Sequence, residues 1–129
     1  MLARVKSWED HQHYKDRAPP CFIYVNSAIY QGLSVAKVGF AKDPRRRLCN
    51  FNNGLRHRRR KGYISEHVSF EAFFYLPAPD QQFARRVERK FLDACKPAIL
   101  REMGSEVVGF CPAVAAEMLC RLVDGEVSA

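Results

Sequence analysis

Hydrophobic and polar positions alternate along this chain in blocks that change period. Cys21-Phe22-Ile23-Tyr24-Val25 is a short apolar run rich in aromatic and β-branched residues, and residues 33–40 form a second. Asn26, Ser27, Gln31 and Gly32 lie between them, so two antiparallel strands joined by a polar loop are expected. In the second run Leu33, Val35, Lys37 and Gly39 share one face by period two, which puts a lysine where the pattern began apolar. Asp43-Pro44 supplies an N-cap and an N1 proline and Gly54 a stop, predicting a helix over residues 44–53. Leu48 and Phe51 face inward on it, and Arg47, four residues before Phe51, borders them. Val68, Phe70, Ala72, Phe74 and Leu76 alternate as a third strand over residues 67–76, with Phe73 and Tyr75 partly covered on its other face and Pro77 and Pro79 closing it. A helix follows over residues 80–95, its inward stripe made of Ala84, Val87, Glu88, Phe91, Leu92 and Cys95. Residues 104–110 form a turn into a short strand, and residues 112–123 a closing amphipathic helix. The pattern predicts an α+β domain over residues 21–129, a small three-stranded antiparallel sheet flanked by helices. An N-terminal arm over residues 1–20 precedes it, and a helix ends it.

Composition narrows the class. With 129 residues, 47% of them hydrophobic, the chain can fill one core without disulfide staples. No apolar run approaches the ~18 to 20 residues of a membrane span, and the first seventeen residues are charged where a signal peptide would be apolar. Five cysteines, an odd number with no Cys-x-x-Cys spacing, fit a reducing cytoplasm better than a zinc ribbon or a disulfide scaffold.

Charge is concentrated. Residues 42–61 hold nine basic side chains (Lys42, Arg45, Arg46, Arg47, Arg56, Arg58, Arg59, Arg60 and Lys61) against one acid, Asp43, so this window carries +8 of a total of +7 and the remainder carries −1. A basic excess confined to one stretch is an anion-binding surface, for which nucleic acid is the obvious partner. The plainer alternative is a solvated arginine loop.

Glu88 is the most informative position, because ionised carboxylates rarely sit on a helix's apolar stripe unless a cation, a metal or a substrate meets them. An ion pair with Arg47, Arg85 or Arg89 would also account for it. Lys37 and Arg47 raise the same question from a strand and another helix. Three charged groups on or beside inward faces point to one shared site.

The order Phe22-Ile23-Tyr24, Lys37-Val38-Gly39, Arg47-Leu48, Glu88 and Gly104-Ser105-Glu106-Val107 resembles the GIY-YIG nuclease superfamily over roughly residues 21–110. It is most similar to a phage and bacterial branch with lysine for the tyrosine of the second motif, Asp-Pro before the arginine, and a Glu-aromatic ending after the acidic helix. The resemblance implies that Tyr24 positions or deprotonates the attacking water and that Arg47 contacts the scissile phosphate. It implies that Glu88 holds one divalent cation, Mg²⁺ with Mn²⁺ as a substitute, and that Gly39 keeps the backbone open to substrate. Lys37 then acts as a phosphate clamp. Phe51 and Leu92 stand where relatives carry a tyrosine and a histidine.

The resulting expectation is a metal-dependent endonuclease that hydrolyses DNA phosphodiester bonds, with the basic window gripping the backbone. The alternative is a catalytically degraded protein of the same fold that binds nucleic acid or inhibits a partner protein. DNA is the expected partner and a membrane is not; a homodimer is left open.

Overall fold

A tight Gln31-Gly32 pair turns the first strand into the second, replacing the longer polar loop that the sequence suggested. Both residues have positive φ, 52° and 78°, the backbone of a two-residue hairpin turn whose twist matches that of its strands. Strand β1 (Cys21–Tyr30) therefore runs through Asn26 and Ser27 and pairs with β2 (Leu33–Ala41) along its length, from Phe22↔Ala41 to Tyr30↔Leu33. The Glu66 carboxylate accepts the Gln31 backbone N–H at 3.1 Å and anchors the turn. The computed structural model describes residues 21–128, and the N-terminal arm expected over residues 1–20 lies outside the described residues.

The fold is α+β, with the sheet order β3-β1-β2-β4 and every neighbouring pair antiparallel. It has four strands where three were expected, because the short segment after Gly104 joins the edge of β2 as β4 (Val107–Val108). Strand β3 (Glu71–Ala78) starts four residues later than its alternation suggested and runs through Pro77. Pro77 is tolerated there because β3 is an edge strand, where a missing N–H costs no ladder bond. A bulge between Val25 and Asn26 moves the register from Val25↔Phe74 to Asn26↔Ala72. That extra residue splits the expected single apolar face, since Phe74 and Leu76 pack on one side of the sheet, Val68 and Phe70 on the other.

Helix α1 (Pro44–Arg60) begins at Asp43, whose side chain accepts the Arg46 N–H at 3.2 Å. It passes straight through Gly54, contrary to the expected stop, and ends at Arg60 with Lys61 as its C-cap. Leu55 explains the extension: it continues the Leu48, Phe51 stripe and is buried, which outweighs the roughly 1 kcal/mol that a helical glycine costs. The stop lies instead at Gly62, with φ 85°, where the Tyr63 N–H reaches the Arg58 carbonyl and the Gly62 N–H the Arg59 carbonyl. Helix α2 (Gln81–Ala94) is capped by Asp80, which accepts the Phe83 N–H at 2.8 Å. Helix α3 (Pro112–Ser128) runs five residues past its expected end, and Glu126 in that extension takes Arg86 and Lys90 of α2.

Helices α2 and α3 cover one face of the sheet, where Ile23, Val25, Ala36, Val38, Phe91 and Leu119 form the main core. Helix α1 lies on the opposite face over Val35, Leu55 and Val107. Among the described residues no helix is long and apolar enough to cross a membrane.

Candidate functional site at the seam between two helices

The sheet face beneath α1 carries the chemistry. Cross-strand pairing sets Tyr24 opposite Gly39 and Asn26 opposite Lys37, and directly opposed residues project from the same face. Strand β4 covers β2 only at Ala36 and Lys37. Past Val38 the edge of β2 is therefore where α1, from one face, and α2, from the other, approach each other. Arg47 comes to this seam from the first turn of α1 and Glu88 from the middle of α2.

Lys37 is 4% exposed, and an ammonium is kept in such a place only by partners. It donates to Glu106 Oε1 at 2.7 Å, to Tyr24 Oη at 3.0 Å and to the Val38 carbonyl at 3.3 Å. The Phe51 ring lies 5.0 Å from the same nitrogen and the Tyr24 ring 5.1 Å, so Phe51 offers a π face where a tyrosine would offer a hydroxyl. Burial works against the ammonium, but the Tyr24 and Glu106 oxygens outweigh it and hold the Lys37 pKa above the usual lysine value.

Gly39 has a role that the sequence did not suggest. A Cβ there would stand 2.5 Å from Tyr24 Oη and 2.7 Å from Cζ, so the missing side chain is the space the phenol occupies. Tyr75 faces Tyr24 from β3; burial first, then Asp43 and Tyr24, push its hydroxyl up to about 12.

Glu88 is half-buried and does not point away from Tyr24 and its neighbours. Its carboxyl hydrogen-bonds that of Glu106 and feels the charges of Lys37 and Arg47. Burial, the Glu106 charge and this hydrogen bond raise its pKa to about 8, against the opposing pull of Lys37 and Arg47. The simple ion pair considered from the sequence is thus replaced by a mixed cluster of two carboxyls, an ammonium and a guanidinium. Glu106 belongs to this cluster and was given no role from the sequence. Its signals in the sequence are the Gly104-Ser105-Glu106-Val107 string of the family resemblance and an acid set between a Gly-Ser turn and a Val-Val strand.

Two carboxyls in hydrogen-bond contact need a proton or a cation between them, and a hard divalent ion that keeps most of its waters suits so small a donor set. Glu88 fits such an ion, with Glu106 beside it held in its 2.7 Å ion pair with Lys37. Among the described residues no group of three or more His, Cys, Asp and Glu side chains converges, so a full protein cage is not on offer.

The basic window divides into four parts. Lys42, Arg46 and Arg47 line a cleft of about 570 Å³ together with Asp43, Gln81 and Arg85, so Arg85 serves this cleft and not an ion pair with Glu88. Arg56, Arg59 and Arg60 line a separate cleft of about 700 Å³ with Asn53 and His67. No carboxylate among the described residues forms an ion pair with these three arginines. Arg58 is diverted to the protein itself, donating to the Glu102 carbonyl at 3.1 Å and lying over the Tyr63 ring. Arg45 and Lys61 are exposed. Leu92 packs with the main core. All five cysteines are free thiols. Compared with models of protein families, with curated proteins and with solved structures, the chain matches none.

Proposed function

We propose that this chain is a metal-dependent endonuclease of the GIY-YIG type that hydrolyses DNA phosphodiester bonds. The observation that carries this reading is the meeting of Tyr24, Lys37, Arg47 and Glu88, delivered by two strands and two helices, at one seam beside a cleft lined with Lys42, Arg46, Arg47 and Arg85. In this reading the phosphodiester lies in that cleft with its scissile group against Arg47, whose guanidinium offsets the negative charge that builds up on the phosphoryl oxygens during attack. Tyr24, held by Lys37, orients the attacking water through its hydroxyl. Glu88 supplies carboxylate oxygens for one Mg²⁺ or Mn²⁺ ion, while Glu106 beside it keeps its ion pair with Lys37. When bound, that cation adds Lewis-acid polarisation of the phosphate. Arg56, Arg59 and Arg60 of α1 hold flanking phosphates, a contact that releases counterions and carries no sequence preference. Five free thiols suit a reducing cytoplasm.

The test is incubation with supercoiled plasmid and Mg²⁺ or Mn²⁺, with and without chelator, for the native sequence and Arg47→Ala. The native sequence is expected to nick or linearise the plasmid only when metal is free, and Arg47→Ala to lose both cleavage and affinity. A second reading, a nucleic-acid-binding or inhibitory module of the same fold, draws on Phe51, which turns an apolar ring to the site. Tight, salt-sensitive DNA binding with no cleavage under either metal would select it.

A further inference from the structure

Lys37 has three N–H bonds and spends all three inside the protein, on Glu106, Tyr24 and the Val38 carbonyl. A buried ammonium so occupied has none left for a phosphate oxygen. The phosphate-clamp role that its charge suggests is therefore not what the geometry provides. Tyr24 is in the converse position. Its oxygen accepts from Lys37, so its own hydroxyl hydrogen must be donated elsewhere, and among the described residues no protein acceptor takes it. That hydrogen is left unclaimed by the described residues, in a side chain that is 2% exposed and paired with Tyr75 on β3. What fixes this arrangement is the shortest of the three Lys37 bonds, the 2.7 Å ion pair with Glu106.

We infer that Glu106 is a positioning residue for the proposed reaction: it locks the Lys37 ammonium onto Tyr24 Oη, so that Lys37 acts on the phenol and the Tyr24 hydroxyl hydrogen faces the substrate oxygen. The inference rests on the endonuclease reading for its consequence and on the hydrogen bonds for its geometry. Glu106 suits the task because it immediately precedes β4. Its backbone carbonyl accepts the Val38 N–H at 3.0 Å, so the carboxylate is carried by the sheet, close to Lys37, while α2 brings Glu88 to it from the other face.

The experiment compares the native protein with Glu106→Ala, Glu106→Gln, Lys37→Met and the double variant Lys37→Met/Glu106→Ala, using a DNA duplex. Single-turnover cleavage is read with Mg²⁺ and affinity without metal. Glu106→Ala is expected to slow cleavage on the order of 100-fold, the cost of a catalytic group held about 1 Å out of place. Affinity and its salt dependence should stay within twofold for every variant, Lys37→Met included. Glu106→Gln, which keeps an acceptor for the ammonium, should recover most of the rate. The double variant should be no slower than Lys37→Met alone, because Glu106 acts through Lys37. A structural readout stands apart from cleavage: the ammonium resonance of Lys37, protected from exchange in the native protein, should vanish in Glu106→Ala and survive in Glu106→Gln. Should Glu106→Ala not fold, Glu106→Gln and Lys37→Met still decide the matter. The inference is overturned if Lys37→Met weakens DNA binding and lowers its salt slope, if the two losses multiply in the double variant, or if the ammonium signal is indifferent to residue 106. If the native protein does not cleave while the resonance behaves as stated, the endonuclease reading fails and the positioning of Lys37 by Glu106 stands.

Discussion

Replacing Gly39 with alanine perturbs the site through one methyl group. The added Cβ would lie 2.5 Å from Tyr24 Oη and 2.7 Å from its Cζ, against an optimum of about 3.5 Å for non-bonded heavy atoms. The phenol tip must therefore retreat by about 1 Å, and it has little room, since Tyr24 is 2% exposed and Tyr75 stands opposite it on β3. A shift of that size stretches the 3.0 Å Lys37–Tyr24 bond beyond hydrogen-bonding range. Overpacking of this kind costs about 1 to 3 kcal/mol, which for a domain of this size lowers the melting temperature by roughly 4 to 12 °C. Cleavage should fall on the order of 100-fold through the displaced hydroxyl. Thermal unfolding of four proteins, native, Gly39→Ala, Tyr24→Leu and the double variant, checks the origin of the loss. With the phenol gone, the alanine should cost less than about 0.5 kcal/mol, the limit within which independent sites add. Equal costs in the two backgrounds, or a Gly39→Ala protein as stable as the native one, would refute the packing argument.

Gly54→Ala should stabilise the protein by about 0.5 to 1 kcal/mol, because the position is helical and a Cβ there meets nothing within 4 Å; denaturant unfolding measures it, and a loss would place a helix stop at Gly54. Reversing Arg59 and Arg60 to glutamate should weaken binding to unrelated DNA duplexes alike and flatten its salt dependence, whereas Arg58→Glu should chiefly lower the melting temperature, since Arg58 is bonded to the Glu102 carbonyl. Glu88 holds its proton up to about pH 8 in the folded, metal-free protein, against 4.5 as the ordinary value. Between those limits the folded state retains a proton that the unfolded chain releases, so the Glu88 contribution to stability declines as pH rises from about 4.5 to about 8. Melting curves of the native protein relative to Glu88→Gln across that range should show the decline, and a difference that grows with pH would contradict the placement of Glu88.

Much of this architecture was legible because local signals agreed. Asp43-Pro44 and Asp80 start α1 and α2 as their capping chemistry requires, and the stripe from Ala84 to Cys95 faces the core. The misread boundaries share a physical cause, tertiary packing overriding a local signal. Leu55 carries α1 through Gly54, and the edge position of β3 lets Pro77 remain in the strand. The bulge at Val25/Asn26 breaks an alternation that looked continuous from Val68 to Leu76. At the site, Lys37, Arg47 and Glu88 stood out as charges in apolar stripes. Glu106 did not, because β4 spans two residues and offers no periodicity against which an acid would look misplaced. The sharing of work along α1 was equally hidden, since six consecutive basic and polar residues say nothing about which cleft each will line.

The most direct test of the central claim is single-turnover cleavage of a labelled DNA duplex by the native protein and Glu88→Gln, each titrated with Mg²⁺ and with Mn²⁺, alongside binding to the same duplex without metal. Metal-dependent strand scission is expected from the native protein and none from Glu88→Gln, with binding by the variant at least as tight as native, because a negative charge beside the phosphate has been removed at constant volume. Equal cleavage by both proteins, or none by the native protein under either metal, would contradict it.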